Sequence, residues 1–148
     1  TWKSRGLGDV YKRQLINRIK MNKFIIDVAN EKIFLMIITN GNIYNITHEN
    51  TKINYEKLTI IINNFLSSKK LKVSDINEIY VNQGTGSFAG IRNLMSVVKA
   101  FNVAKNIDYY CYNLGDFINE KDLSHKNIPN LCKKYKTKKN LVNPIYIS

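Results

Sequence analysis

Asn40-Gly41 stands between two strand-length runs, Lys32–Thr39 and Asn42–Thr47, and no other feature restricts the fold of this chain as much. Both residues tolerate positive φ, so the pair closes a tight hairpin whose twist suits the flanking strands. A further apolar run, Lys23–Val28, precedes them, so the chain after Met21 reads as three consecutive strands. The period then changes. Leu58, Ile61, Ile62, Phe65 and Leu66 recur at three- and four-residue spacing and predict a helix over about 55–68. A turn through Val73-Ser74-Asp75-Ile76-Asn77 leads to a short strand, Glu78–Asn82, and a Gly-rich loop follows at once. A second helix is expected over 91–105, burying Leu94, Val97, Val98, Phe101 and Ala104, and then a final aromatic strand, Asp108–Tyr112. His48-Glu49-Asn50 reads as the polar turn into the first helix.

Three antiparallel strands, helix, strand, helix, strand is the order of an α/β fold with a mixed five-stranded sheet. It is the ribonuclease-H-like lobe of the actin, sugar-kinase and Hsp70 architecture. At 148 residues the chain has room for one such core and little for a second. The lobe is expected over 21–118. Residues 1–20 have no apolar period, read like a translated adapter sequence, and are taken as a non-native or disordered leader with Met21 as the native start. Residues 119–148 are expected to form a Lys-rich bridge and a closing segment in place of a second lobe. Val142–Ile147, where apolar alternation resumes, is expected to dock as an edge strand.

The formal net charge of +12 invites a nucleic-acid reading. Much of it sits in the leader, where Lys3, Arg5, Lys12, Arg13, Arg18 and Lys20 face Asp9 alone, and elsewhere Lys is intermixed with Asn. A solvated surface is the simpler reading of that distribution, with an RNA-binding module as the alternative. No apolar run is long enough to span a membrane, and no secretory signal is visible, so a cytoplasmic chain with Cys111 and Cys132 as reduced thiols is expected.

The loop Gly84–Arg92 lies between a strand and a helix N-terminus, where free backbone N–H groups and the helix dipole can hold an anion. It lacks the Lys-Ser/Thr of a Walker A loop. On the residues alone, a phosphate cradle competes with a plain connection in which Gly relieves crowding and Ser87 caps the helix. Asp27, at the end of the first strand, occupies the point where phosphotransferases of this architecture hold metal, but a turn cap toward Asn30 is the simpler reading. His48 and His125 share no zinc-ligand spacing. Ser87 has no nucleophile elbow. Tyr109, Tyr110 and Tyr112 read as packing rather than base stacking. No catalytic residue, metal or cofactor is expected.

The loop carries a resemblance. Gly84, Gly86, Ser87, Phe88, Gly90 and Arg92, with Ile91, resemble the TsaB (YeaZ) family signature Gly-Pro-Gly-Ser-Phe-Thr-Gly-(Leu/Val)-Arg, with Thr85 and Ala89 departing from it. Ile26-Asp27-Val28-Ala29 is similar to the family's opening, Val73-Ser74-Asp75-Ile76 to its lead-in, and Asn143-Pro144-Ile145-Tyr146-Ile147 to its ending. Asn54-Tyr55-Glu56 keeps only the acid of the family's His-Ser-Glu triplet. The resemblance implies a non-catalytic subunit of tRNA threonylcarbamoyladenosine synthesis. Its partner would be a TsaD-like paralogue or a second copy of itself, and it would meet tRNA only through the complex. On that reading the motif loop is structural, and Asn93, Met95, Ser96 and Ala100 are the candidate partner-facing residues of the second helix. The alternative is a nucleotide-binding enzyme of the kinase or ATPase type using the Gly-rich loop.

Overall fold

The computed structural model describes residues 21–29, 31–84 and 88–140. The expectations for residues 1–20 and for Val142–Ile147 lie outside them. Strands β1 (Lys23–Asp27), β2 (Lys32–Thr39) and β3 (Asn42–Glu49) form the antiparallel meander. Helices α1 (Lys52–Glu56) and α2 (Leu58–Ser68) lead to β4 (Glu78–Asn82), then α3 (Phe88–Lys105), β5 (Asp108–Tyr112) and a last helix, α4 (Ile128–Lys134). The sheet order is β3-β2-β1-β4-β5, with β4 parallel to β1 and β5 parallel to β4. This is the mixed five-stranded sheet of the ribonuclease-H-like lobe. No helix among the described residues is long and apolar enough to cross a membrane.

Local chemistry accounts for the joints. Asn40 and Gly41 take φ of 51° and 78°, as the hairpin requires. Thr51 caps α1 by accepting from the Asn54 amide at 3.2 Å. Buried Asn22 ties the start of β1 to its neighbours. Its amide donates to Asn77 Oδ1 at 2.8 Å, its side chain donates to the Asp75 carbonyl at 2.8 Å, and it accepts from Thr39 Oγ1 at 2.6 Å.

Both faces of the sheet are covered, which explains why β1 is apolar without alternation. Phe24, Ile26, Leu35 and Ile37 meet Leu58, Ile62, Phe65 and Leu66 of α2 and Ile91, Leu94, Met95 and Val98 of α3. On the opposite face Ile25, Met36, Tyr80 and Tyr112 pack with Phe117, Ile128, Leu131 and Cys132. The second cluster draws on residues from either side of position 118.

Four expectations are corrected. The first helical segment is two helices that meet at Lys57. His48 and Glu49 belong to β3 rather than to a turn, because β2 is long enough to pair with them. The buried stripe of α3 is Ile91, Leu94, Met95 and Val98, so Val97 and Phe101 are only half-buried and Ala104 is exposed. The chain beyond Asn119 is not all polar bridge, since Ile128, Leu131 and Cys132 fall on one side of α4 and are buried.

Candidate functional site

The strand ends of β1 and β4 lie side by side, with Asp27 paired to Asn82 in the parallel register. Asp27 is 2 % exposed, yet its carboxylate is well satisfied. Oδ1 accepts from the Ala29 amide at 2.9 Å, and Oδ2 accepts from Asn82 Nδ2 at 3.1 Å and contacts His125 Nε2 at 2.9 Å. Burial pushes the Asp27 carboxyl up, but the hydrogen bonds from His125, Asn82 and Ala29 outweigh it and hold the group below the usual carboxylate range. The His125 ring stacks on Phe34 of β2, centroids 4.0 Å apart and planes 23° from parallel. The turn cap expected toward Asn30 falls on a residue outside the described ones, and the bond from the Ala29 amide is one part of a larger network.

Asn82 carries the network toward the Gly-rich loop. Its Oδ1 accepts from the Gly84 amide at 2.8 Å, a turn in which the side chain stands in for a backbone carbonyl. A Cβ at Gly84 would lie 3.1 Å from that same oxygen and 3.4 Å from the Ala29 methyl, so glycine lets the three segments approach. Gly90, in the first turn of α3, is more tightly held. A Cβ there would fall within 2.5 Å of Cε1 and the hydroxyl of Tyr55 from α1. The motif's last glycine is a seat for an aromatic ring.

Of the other motif positions, Gly86 and Ser87 lie outside the described residues, Phe88 opens α3, and Arg92 is exposed in its first turns. Asn93, Ser96 and Ala100 are exposed on α3, with the Ser96 hydroxyl donating to the Arg92 carbonyl at 3.1 Å. Met95 is a correction. At 5 % exposure it faces the core, where its sulfur receives the Cys111 thiol at 3.8 Å, and it cannot serve a partner-facing surface. Tyr109 and Tyr112 are buried and Tyr110 stacks on Tyr80, so the aromatic strand is packing. Among the described residues no group of three or more His, Cys, Asp or Glu is arranged as metal ligands would be.

Two residues of the network were missed by sequence reasoning. His125 meets Asp27 across 98 positions, which no local spacing signals. Asn82 was legible in principle, as an Asn at a strand end two residues before a Gly.

A buried strand-end acid, a Gly-rich connection between β4 and α3, and the sheet order together define one lobe of the ribonuclease-H-like class. Among solved structures the chain is similar to YeaZ from Pseudomonas aeruginosa, with a TM-score of 0.58 and 16% identity over 66% of this chain and 46% of that one. A second structure, an uncharacterized protein with similarity to peptidase YeaZ from Pseudomonas aeruginosa, gives a TM-score of 0.58 and 16% identity over 66% of this chain and 45% of that one. The likeness spans less than half of either protein. No family model matches the chain, and no curated protein matches it by sequence.

Proposed function

We propose that this chain is a non-catalytic subunit that supports a TsaD-like paralogue in adding threonylcarbamoyl to adenosine of ANN-decoding tRNA. The observation that carries the reading is a coincidence of two independent signals on one segment. The β4–loop–α3 connection that bears the TsaB-like signature is also part of a lobe whose fold is similar to YeaZ. The site's geometry favours a structural over a catalytic role. Gly90 seats Tyr55, and the Asp27 carboxylate is engaged by Ala29, Asn82 and His125. A cytoplasmic location belongs to the same reading, because tRNA is the substrate of the complex. The exposed side of α3, with Asn93, Ser96 and Ala100, is the proposed partner surface for the paralogue or a second copy.

Co-purification with the cognate TsaD-like protein, followed by a threonylcarbamoylation assay, tests this. The chain should be inert alone and should raise the paralogue's activity on tRNA. Two results would count against it: no complex at micromolar concentration, or micromolar ATP binding by the isolated chain that Gly86→Val abolishes. The second would favour the nucleotide-binding enzyme instead.

A further inference from the structure

At the end of the sheet opposite Asp27, a cavity of about 520 Å³ opens between α4 and the first residues of β1 and β4. Its walls include Lys23 and Glu78, which face each other in the parallel register, and Tyr80 and Tyr110, stacked at 5.1 Å and 13°. Pro129, Cys132, Lys133 and Lys136 complete it from the α4 side.

The charges around it are unbalanced. Lys134 and Lys139, close in sequence, are paired with Glu120 and Asp108. Lys23, Lys133 and Lys136 form no ion pair among the described residues, although all three line the cavity. Among the described residues Glu78 is the only acid in the wall. Three lysines against one acid leave the lining of this concave site net positive, which attracts an anion. The volume falls in the range that holds a small organic molecule, far more than one phosphate group fills. Half-buried Tyr110 offers flat aromatic surface for the remainder, beside the buried Pro129.

We propose that this cavity binds a small anion carrying a planar ring, with the chemistry of a nucleoside monophosphate. The lysines hold the anionic group and the tyrosine side of the cavity takes the ring. The site is separate from the Gly-rich loop and independent of the partner role proposed above.

Calorimetric titration of the full chain with AMP, ribose 5-phosphate and inorganic phosphate at low salt tests it. AMP should bind tightest and phosphate weakest. Replacing both Lys133→Ala and Lys136→Ala should weaken AMP about tenfold or more, the scale of one lost charged contact, whereas Lys138→Ala, outside the cavity wall, should not. Both lysines are exposed, so thermal unfolding of the paired variant should match the parent and exclude misfolding as the cause. The proposal is overturned by any of four results: no AMP binding, unchanged AMP affinity in the paired variant, ribose 5-phosphate binding as tightly as AMP, or loss of AMP binding on Gly86→Val, which would move the site to the loop.

Discussion

Gly90 and Tyr55 show how one side chain can explain a motif position. The Tyr55 ring of α1 lies where any β-carbon at Gly90 would have to stand. Gly90→Ala should therefore destabilise the protein by about 1–3 kcal/mol, the usual cost of overpacking a filled site. The cost should largely vanish when Tyr55→Ala is already present, because the ring that causes the conflict has gone. A double-mutant cycle by urea denaturation measures this, and equal costs in both backgrounds would show that Gly90 is required for some other reason. Asp27 gives a second residue-scale test. Its carboxyl is held below its ordinary 3.8 in the folded protein by bonds that outweigh the opposing effect of burial. A depressed folded value means the stabilisation is fully present above the unfolded value and is lost as pH falls through the folded one. Asp27→Asn should remove that part of the acid sensitivity, flattening the stability profile below about pH 4 relative to the parent. Parallel profiles for the two proteins would assign the acid sensitivity to other carboxylates.

Among the elements, α3 separates what period alone can fix from what packing decides. Its apolar residues include Ile91, Leu94, Val97, Val98, Phe101 and Val103, which spread around more than one face. Several phases fit such a pattern, and the expected stripe through Phe101 and Ala104 was one of them. The buried stripe runs instead through Ile91, Leu94, Met95 and Val98, with Gly90 against Tyr55 at its N-terminal end. Leu94→Ala should accordingly cost about 2–5 kcal/mol, and Phe101→Ala less than the 3–5 kcal/mol of a fully buried aromatic. Chemical denaturation of the pair decides it, and the reverse order would place Phe101 rather than Leu94 at the centre of the buried stripe. The strands were legible because each is short, apolar and bounded by turn residues, and the Asn40-Gly41 hairpin specified their register. Helix α4 was not. It has seven residues, two of its last three are lysines, and three lysines follow within five positions. Its Ile128, Leu131 and Cys132 have helical spacing, but a stretch that short and that charged gives no amphipathic window to detect. The Asp27–His125 contact was hidden for the same reason, since His125 reaches the strand ends only because the segment before α4 packs on the sheet.

At the scale of the whole molecule, the sheet has a second face that must be covered. Ile25, Met36, Tyr80 and Tyr112 point away from α2 and α3, and left bare they would form an apolar patch of the kind that drives association. The chain supplies its own cover. Phe117 stacks on Tyr112 at 5.9 Å, Ile128, Leu131 and Cys132 seal the middle, and His125 ties the cover to Asp27. The chain then returns to the sheet edge, where the Asn140 amide donates to the Tyr109 carbonyl at 2.7 Å and Lys139 bridges Tyr110. These contacts span the lobe, so the cover should unfold together with the sheet in one transition. A chain ending at Tyr112 should lose cooperative unfolding and bind a hydrophobic dye, because its second face is exposed and the Asp27 network is cut. The point variant Leu131→Ala, buried at 3 % exposure, should keep the fold while losing about 2–5 kcal/mol. If the truncated chain unfolds cooperatively at the parent's denaturant midpoint and binds no dye, the segment after β5 is an accessory to a lobe that is complete without it. If only the truncation fails while Leu131→Ala is silent, the closure rests on the Phe117 and His125 contacts rather than on α4.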